Sequence, residues 1–565
     1  MGEWWRIIGA SDRPGEPMYA AHALLAARAE DEPDRCALAV AGGGALTFGQ
    51  WRDRAWRVAG SLVADGVRPG ERVALAFTED EWDTFAVAYF GVLAAGAVAV
   101  PLSSRMSAEA AARVVAHCQA VRVVDELDET GAPIDAPVPA RPGDPAQILY
   151  TSGTTGTPKA VVACHANLTH GWAPRPRQRP LAHSRHFLHS FPLGTNAAQT
   201  MLFNALGAAP TAVMVPDFRP DGFLDAVDAY AAGTVFLVPA MAAELVNRAP
   251  RPGVLLAGCT GAALPPPVAQ GLAGTFPRAT VVNYYTSTEA APAQTTMVFD
   301  PARPTSVGRP SAGQLEIRDP AGHPLPAGAV GDVWLASPTT ARTYLDDPGS
   351  SATVFRDGWT RMGDVGRLDA DGYLHLLDRE TDMVQVGGFK VATPGVEAVL
   401  FAHPDVADAA VLGVPHPVRG TTLVAAVVPR GDGLAPDALR AFVRDRLTEA
   451  EVPARIIVVA ALPRNDGGKV VKRELAGLFT APGTAAPRTD AERRLATVWA
   501  TVLGVPEVTA DANFFALGGD SFRAADLAAA AAVEFGVEVP ATLAFDVPEL
   551  GVQAAWLTEL REWTG

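Results

Sequence analysis

The sequence predicts a multidomain α/β protein that ends in an all-helical domain. The chain has 565 residues, too many for a single hydrophobic core, which suggests about three or four domains. Over most of its length, helical stretches alternate with short runs of β-branched residues, which is typical of layered sheets with largely parallel strands. From residue 490 onward the apolar residues recur at helical spacing instead, as at Leu495, Val498, Trp499 and Val502.

The first part, residues 1–378, carries the clearest α/β pattern. The segment TFGQWRDRAWRVAGSLVADG predicts a helix that ends at a glycine, whereas ERVALAF and TAVMVP predict strands. From Phe85 to Leu102 an uncharged run approaches the length of a membrane span. Because the run is broken by glycines and Pro101 and has no basic flanks, it predicts a buried helix and a buried strand that turn at Gly96.

Two changes of composition divide the rest of the chain. Residues 379–479 predict a smaller α/β unit, with strand-like ADAAVLGVPHP and TTLVAAVVPRG and helix-like PDALRAFVRDRL. Residues 480–489 are rich in Ala and Pro and poor in large apolar side chains, which indicates a linker. Residues 490–565 then form the helical domain, which is large enough to fold alone.

Charge and cysteine content restrict the partners and the compartment. Lys and Arg number 46 against 62 Asp and Glu, a formal net charge of −16, which argues against nucleic acid or an anionic membrane as the main partner. The four cysteines lie far apart without CxxC spacing, so neither a disulfide framework nor a zinc site is expected. The first residues, MGEWWRIIGA, do not have the pattern of a signal peptide. A cytoplasmic location is the expectation.

The strongest local signal is ILYTSGTTGTPKAVV, residues 148–162. Glycines there let the backbone approach a ligand, hydroxyls and exposed N–H groups can donate to phosphate oxygens, and Lys159 adds a positive charge. The lysine does not directly follow a glycine, so this is not a Walker loop. By itself the run also fits an ordinary surface turn. The candidate phosphate-binding residues are Thr151, Ser152, Gly153, Thr154, Thr155, Gly156 and Lys159.

YTSGTTGTPK resembles the signature of the acyl-adenylate-forming superfamily, which includes acyl-CoA synthetases, luciferases and the adenylation domains of nonribosomal peptide synthetases. NYYTSTEA, TRMGDVG, LLDRETDMVQVGGFKV and LPRNDGGKVVKREL are similar to further motifs of this family and follow in its order. The resemblance covers about residues 20–478. It implies ATP-dependent, AMP-forming activation of a carboxylic acid, a large N-terminal adenylation core over residues 1–378, and a small mobile α+β C-terminal subdomain over residues 379–479.

The resemblance also implies roles for individual residues. Asn283 and Tyr285 would hold adenine, and Glu289 would bind Mg²⁺, which suits a carboxylate ligand. Lys469 would stabilise the negative charge that develops when a carboxylate attacks the α-phosphate. The other implied nucleotide contacts are the adenine-lining Gly261, Ala262 and Ala263, the α-phosphate contact Thr288, and the ribose contacts Asp364 and Arg379.

Three positions depart from the family pattern. Thr381 stands at the position where the family's domain hinge, about which the smaller domain rotates between the two half-reactions, usually has an acidic residue or lysine. Ala160 and Thr286 replace glycines near the nucleotide, and both could slow turnover. None of the three replaces a charged catalytic group.

DANFFALGGDSFRAADL, residues 511–527, resembles the modification site of peptidyl, aryl and acyl carrier proteins, which are all-α four-helix domains. Two glycines would present Ser521 at the start of a helix, where the helix N-terminus favours a phosphate. The resemblance implies that a separate phosphopantetheinyl transferase attaches 4′-phosphopantetheine to Ser521. The thiol of that arm would then receive the acyl group. The alternative is a purely structural role, in which Ser521 only caps the helix.

The sequence gives less information about the acid. Amino-acid-activating relatives usually carry an aspartate that pairs with the α-ammonium group, but the aligned residue here is Ser190. A buried ammonium without a partner is costly, which favours an acid that lacks a free α-amino group, with aromatic acids among the candidates. The expected pocket residues are Ser190, Phe191, Thr195, Leu237, Gly258, Thr260, Tyr284, Pro292 and Ala293.

Three alternatives stay open beside loading of the chain's own carrier for downstream condensation or tailoring enzymes. One is an acyl-CoA ligase that releases its product to free CoA. Another is an amino-acid-activating protein of the same two-domain type. The last is a degenerate binding or scaffolding protein, against which the retained Lys159, Glu289, Asp364 and Lys469 argue.

Overall fold

The computed structural model describes residues 18–151, 159–379, 382–386, 389–416, 420–431, 434–465, 468–480, 486–515, 517, 519 and 521–564. By packing, the chain divides into two units. The first unit is Met1–Thr381 together with Arg464–Lys469, and the second is Asp382–Pro463 together with Val470–Gly565.

The α-helices of the described residues are α1 Ala21–Asp31, α2 Phe48–Ala64, α3 Trp82–Ala94, α4 Ala108–His117, α5 His165–Thr169, α6 Asn196–Gly207, α7 Pro220–Ala229, α8 Pro239–Leu245, α9 Pro266–Thr275, α10 Pro348–Val354, α11 Thr393–Phe401, α12 Pro436–Arg444, α13 Lys472–Thr480, α14 Asp490–Leu503, α15 Ser521–Phe535, α16 Leu543–Asp546 and α17 Leu550–Thr564. Two short 3₁₀ helices cover Glu79–Glu81 and Glu449–Glu451.

The β-strands are β1 Cys36–Val40, β2 Ala45–Thr47, β3 Arg72–Leu75, β4 Val98–Pro101, β5 Arg122–Val124, β6 Pro145–Thr151, β7 Lys159–Cys164, β8 His186–His189, β9 Thr211–Met214, β10 Thr234–Leu237, β11 Leu256–Cys259, β12 Thr280–Tyr285, β13 Gln294–Val298, β14 Ser306–Ala312, β15 Gln314–Arg318, β16 Gly331–Ala336, β17 Thr343–Tyr344, β18 Phe355–Arg356, β19 Trp359–Leu368, β20 Leu374–Arg379, β21 Val384–Val386, β22 Phe389–Val391, β23 Val406–His416, β24 Gly420–Pro429 and β25 Arg455–Val458.

Two sheets organise the first unit. The larger has the order β15-β16-β19-β20-β14-β13-β12-β11-β10-β8-β9-β1-β2, with β18 paired to β19. Its strands from β12 to β1 pair in parallel, as predicted from the alternation of helices and strands. The smaller sheet has the order β17-β7-β6-β4-β3-β5. The predicted α/β architecture is confirmed.

The uncharged run near residue 90 lies inside the core of the first unit. Helix α3 covers Trp82–Ala94 and strand β4 covers Val98–Pro101, and nearly every side chain of both is buried. Gly96 lies between them with φ +74°, a conformation that glycine adopts without strain. The predicted helix and strand are therefore confirmed. Across the described part of the chain, we found no helix with both the length and the apolar character needed to cross a membrane.

The second unit contains two kinds of packing. Strands β23, β24 and β25 form a sheet, with an apolar cluster that includes Val396 and Leu400 of α11 and Leu439 of α12. Helices α14 to α17 enclose a separate cluster around Trp499 and Phe514, whose rings meet edge to face at 5.1 Å. The four helices over residues 490–565 thus have an apolar core of their own, in line with the predicted all-α domain.

Three buried histidines are held in the neutral form. His189 is fully buried beside Trp82, with ring centroids 4.8 Å apart, and burial lowers its pKa to about 3. His22 and His165 lie edge to face at 6.1 Å, and burial lowers the pKa of each to about 4. A proton on any of these rings would be a buried charge, so the folded state disfavours protonation.

We expect the free energy of unfolding to fall as the pH falls from about 6.5 towards 4. Unfolded histidines take up protons near pH 6.5 while the folded ones remain neutral, so stability decreases by up to about 1.4 kcal/mol per pH unit for each histidine. Denaturant titrations at several pH values measure this slope. His189→Phe should reduce this slope by the contribution of one histidine. An unchanged slope in His189→Phe would contradict the assignment.

Candidate active site

The carboxyl ends of four parallel strands place most of the predicted site residues at one edge of the large sheet. Strand β10 pairs in parallel with β8 on one side and with β11 on the other, and β11 pairs in parallel with β12. Open α/β sheets bind their ligands at this edge. The segments that follow these strands contain the predicted residues Phe191, Thr260, Gly261, Thr288 and Glu289.

The adenine side of the site contains a buried amide without a partner. Asn283, in β12, is 7% exposed, and its Oδ1 accepts no hydrogen bond from any residue that the structure describes. Such an oxygen would suit the amino group of adenine. Gly261 follows β11 with φ +90°, and Ala262 and Ala263 are exposed beside it. These residues therefore fit the predicted adenine contacts.

The ribose side is a hydrogen-bonded group of three side chains. Tyr285 Oη donates to Asp364 Oδ2 at 2.6 Å, and Arg379 Nε lies 3.4 Å from Asp364 Oδ1. Asp364 and Arg379 are direct partners in the β19–β20 ladder. Burial and the Asp364 carboxylate raise the pKa of Tyr285 well above its ordinary value, so its hydroxyl remains a donor. The structure brings these three predicted residues together.

The predicted metal ligand is held by two hydroxyl groups. Glu289 Oε1 accepts from Tyr344 Oη at 3.2 Å and from Thr151 Oγ1 at 3.5 Å. In the described residues, no group of three or more His, Cys, Asp or Glu side chains could hold a metal ion. A single carboxylate is nevertheless enough for Mg²⁺ that also binds substrate phosphates and water. Glu289 therefore fits a shared site of this kind.

The phosphate-binding run joins two antiparallel strands. Thr151 ends β6 and Lys159 begins β7, and the two residues face each other in the ladder. Lys159 Nζ lies 4.8 Å from the centre of the Tyr344 ring. The other predicted residues of this run lie outside the described residues: Ser152, Gly153, Thr154, Thr155 and Gly156.

Lys469 belongs to a short loop that packs in the first unit, Arg464–Lys469. Asn465 closes the loop, because its Oδ1 accepts from Lys469 N at 2.9 Å and its own N–H donates to Lys469 O at 2.9 Å. Gly468 has φ +77°, and a Cβ added there would lie 3.1 Å from Val238 Cγ2. Val238 directly follows β10, so this loop lies at the carboxyl edge of the sheet.

Two residues that the sequence analysis did not identify support Glu289. They are Tyr344, described above, and Arg342, which is 4% exposed and donates from Nη1 to Thr288 O at 2.8 Å. Burial lowers the pKa of Arg342 to about 10. The only sequence signal was a lone arginine in the run SPTTARTYL. That signal does not show that the side chain is buried.

The expected pocket residues of the parallel strands lie on two different faces of the large sheet. A Cβ on Gly258 would lie 2.7 Å from Phe236 Cδ1 and 3.0 Å from Tyr284 Cε2, so these rings and Gly258 share one face of the sheet. Leu237 packs instead into the apolar cluster of the opposite face. Its strand neighbours Phe236 and Val238 lie in the cluster of the first face, because a displacement of one residue along a strand reverses the face. A role for Leu237 in the pocket stays a prediction.

The remaining pocket residues have structural contacts of their own. Ser190 Oγ donates to Val215 O at 2.5 Å, and Thr195 caps α6 by accepting from Ala198 N at 3.2 Å. Phe191 is buried in the same cluster as Phe236. Thr260 and Pro292 are partly buried, and Ala293 is fully buried.

Near the candidate modification site, the structure describes the start of a helix and one closely packed glycine. Helix α15 begins at Ser521. A Cβ on Gly519 would lie 2.3 Å from Phe514 Cδ1, so only glycine fits where the preceding turn crosses this ring. The next residue, Phe522, is 85% exposed. Phe522 therefore places this part of the helix at the surface of the domain.

Comparison with known proteins agrees with this arrangement. Residues 25–345 match AMP-binding enzymes, residues 395–469 match the C-terminal domain of AMP-binding enzymes, and residues 493–557 match the phosphopantetheine attachment site. The structure is similar to that of ATP-bound MatB from Rhodopseudomonas palustris, with a TM-score of 0.72 and 27% identity over 82% of this chain and 99% of that one.

Two curated relatives match different shares of the chain. Phosphinothricin tripeptide synthetase PhsB of Streptomyces viridochromogenes is 32% identical over 94% of this chain, which spans only 48% of that protein. A feruloyl-CoA synthase of Amycolatopsis sp is 33% identical over 78% of this chain and 95% of its own length. The chain therefore belongs to the family of AMP-binding enzymes, as an AMP-forming ligase that uses ATP and Mg²⁺ and carries a phosphopantetheine attachment domain.

Proposed function

We propose that the protein adenylates an aromatic carboxylic acid without a free α-amino group and transfers the acyl group to the arm on its own Ser521. The product would pass to condensation or tailoring enzymes of a nonribosomal peptide or related pathway. The observation that carries the choice of acid is the neutral face formed by Phe236, Gly258 and Tyr284. The likeness to a synthetase and to a feruloyl-CoA synthase supports both parts of this proposal.

The surroundings of Ser190 support an acid without an amine. Its hydroxyl is bound to Val215 O, and the adjacent His189 is neutral because of its low pKa of about 3. Glu79 reaches the nearby Leu193, but its Oε1 accepts from Leu193 N at 3.3 Å and its Oε2 from Ser104 Oγ at 2.8 Å. The carboxylate that the described contacts bring near Ser190 is thus that of Glu79, whose two oxygens already accept hydrogen bonds, and this arrangement favours an acid without an ammonium group.

In the first half-reaction, a carboxylate oxygen of the acid attacks the α-phosphorus of ATP, and the bond to the β-phosphate oxygen breaks to release pyrophosphate. Lys469 would neutralise charge on the oxygens around this centre, and Asp364 would hold the ribose. Glu289 would share Mg²⁺ with the phosphates. Asn283 would orient the adenine through its unpartnered Oδ1.

In the second half-reaction, Ser521 would hold the phosphopantetheine arm, whose thiol would be the nucleophile, and AMP would leave from the acyl carbon. The arm would be installed on Ser521 by a separate phosphopantetheinyl transferase. Because the arm is tethered to the same chain, its effective concentration would be high without a large binding surface. A cytoplasmic location belongs to the same proposal, since all four cysteines are free thiols.

A second candidate function is transfer to free CoA. The observation that favours it is the likeness to the feruloyl-CoA synthase, of whose length 95% matches 78% of this chain. In this reading the carrier would be secondary. The two functions differ in where the acyl group ends, either on the protein or on a small molecule.

Intact-protein mass spectrometry tests the proposal. The protein is phosphopantetheinylated and then incubated with ATP, Mg²⁺ and either benzoic, cinnamic, aliphatic or α-amino acids. We expect a mass increase equal to an aromatic acyl group, with no increase when ATP is left out. Loading of common α-amino acids would overturn the substrate class. Acyl-CoA formation without any loading would support the second candidate.

A further inference from the structure

Tyr344 lies at a fixed point between two candidate site residues. It ends β17, which pairs antiparallel with β7 so that Tyr344 faces Val161. The next residue extends this pairing, because Leu345 N donates to Ala160 O at 2.9 Å. The backbone of Tyr344 is therefore anchored to the strand that begins with Lys159.

The Tyr344 hydroxyl holds the carboxylate of Glu289. Its Oη donates to Glu289 Oε1 at 3.2 Å, and Thr151 Oγ1 reaches the same oxygen at 3.5 Å. A donor to an ionised carboxylate makes a stronger hydrogen bond than a neutral pair does. Since both bonds fall on Oε1, they orient the carboxylate and do not occupy Oε2.

The Tyr344 ring contacts the lysine of the phosphate-binding run. Lys159 Nζ lies 4.8 Å from the ring centre, within the range of a cation–π interaction. The ring also meets Phe355 edge to face, with centroids 5.1 Å apart. The ring is therefore held by Phe355 while it offers a face to the ammonium group.

The side chain of Arg342 binds the main chain of the turn that contains Glu289. Its Nη1 donates to Thr288 O at 2.8 Å, one residue before Glu289. Residues two apart in an extended segment point to the same side, so Arg342 and Tyr344 both reach towards this turn. One short segment thus fixes the main chain at Thr288 and the side chain at Glu289.

We propose that Tyr344 is a positioning residue that links the metal carboxylate to the phosphate-binding lysine. Its hydroxyl orients Glu289 towards Mg²⁺, and its ring holds Lys159 within reach of the phosphates. This inference rests on the proposed role of Glu289 as the Mg²⁺ ligand. It predicts that Tyr344 acts on the metal-dependent part of ATP binding.

Calorimetric titration of ATP, with Mg²⁺ and with EDTA, tests the proposal without turnover. In Tyr344→Phe the ring remains over Lys159, so metal-free ATP binding should not change. The gain in ATP affinity that Mg²⁺ provides should fall about 10- to 100-fold, as expected for one hydrogen bond to a charged group. Thr151→Val, which removes the other donor to Glu289 Oε1, should change the same gain in the same direction.

Three further variants separate the possible failures. Glu289→Gln should remove most of the Mg²⁺ gain, and Tyr344→Phe added to it should have no further effect. If Glu289→Gln retains the gain, the metal assignment in the proposed function is wrong. If Glu289→Gln loses the gain but Tyr344→Phe retains it, only the role of Tyr344 is overturned. Tyr373→Phe is the control. The Tyr373 ring, between β19 and β20, lies 4.6 Å from both Arg303 and Arg309, so this variant should change neither titration.

Discussion

Replacing Lys469 with alanine is expected to slow adenylation by about 100- to 1,000-fold, which is typical for loss of a group that stabilises charge in a transition state. The attack joins a carboxylate to a polyphosphate, so two anions must approach each other. Without the ammonium group this repulsion is not compensated. Thioester formation from a chemically made acyl-adenylate should change little, because that step does not create the same charge. Pyrophosphate exchange measures the first step, and single-turnover loading measures the second.

The loop geometry explains why the effect should be local to this lysine. Gly468 adopts φ +77° and its N–H donates to Asn465 O at 2.8 Å, while Arg464 Nη1 donates to Gly468 O at 2.6 Å. These bonds fix the backbone that presents Lys469. Alanine at position 469 preserves all of them, since they involve only its main chain and its neighbours. The loop should keep its position beside Val238.

A matched control is available three residues later. Lys472 Nζ donates to Thr393 Oγ1 at 2.8 Å and lies 3.4 Å from Glu397 Oε1, so its charge is used inside the second unit. Lys472→Ala should leave both half-reactions within about twofold, as for a charge outside the reaction centre. Equal adenylation rates in Lys469→Ala and the unchanged protein would contradict the role of Lys469. Equal losses in both lysine variants would contradict its specificity.

Local patterns predicted much of the fold because each of them depends on nearby residues. Gly96 separates an apolar helix from an apolar strand, and its φ of +74° is the conformation that the turn requires. Thr47 and Gln50 form a capping box at the start of α2, within the segment predicted as a helix. The carboxyl ends of β10, β11 and β12 meet because neighbouring parallel strands must end on one side.

The candidate site was less predictable because its contacts join distant segments. Tyr344 meets Glu289 across 55 residues and Tyr285 meets Asp364 across 79. No periodic pattern specifies such pairs. Leu237 shows a second reason why the site is hard to predict. The alternation of side chains along a strand predicts that neighbours point to opposite faces, but it does not predict which face meets the ligand. The structure places Leu237 in the apolar cluster on one face of the sheet and Phe236 in the cluster on the other face.

Thr286 shows how a departure from a family motif can acquire a structural contact. Its Oγ1 donates to Ala293 O at 2.7 Å, which ties together the two ends of the segment that contains Glu289. The residue was expected to slow turnover because glycine is usual there. The hydroxyl instead gives this segment a bond that glycine could not make. Whether turnover is slower stays a prediction.

Ser521→Ala is expected to abolish acylation of the protein while leaving pyrophosphate exchange within about twofold. Ser521 is the only serine in residues 490–565, so Ser521→Ala leaves this domain without a serine to which the arm could be attached. Helix α15 should persist, because alanine is a good helix former and the buried core around Trp499 and Phe514 is unchanged. Intact-protein mass spectrometry after treatment with the transferase should show no added arm and no acyl group.

The matched control removes a different hydroxyl from the same four-helix domain. Thr558 Oγ1 donates to Ala554 O at 2.7 Å within α17, and Thr558→Ala should load as the unchanged protein does. Acylation of Ser521→Ala at the normal level would show that another residue carries the arm. If Ser521→Ala makes acyl-CoA from free CoA as fast as the unchanged protein loads itself, the carrier is not the main acceptor. Loss of loading together with intact exchange would instead show that activation and transfer are separate steps, joined only through the arm at the start of α15.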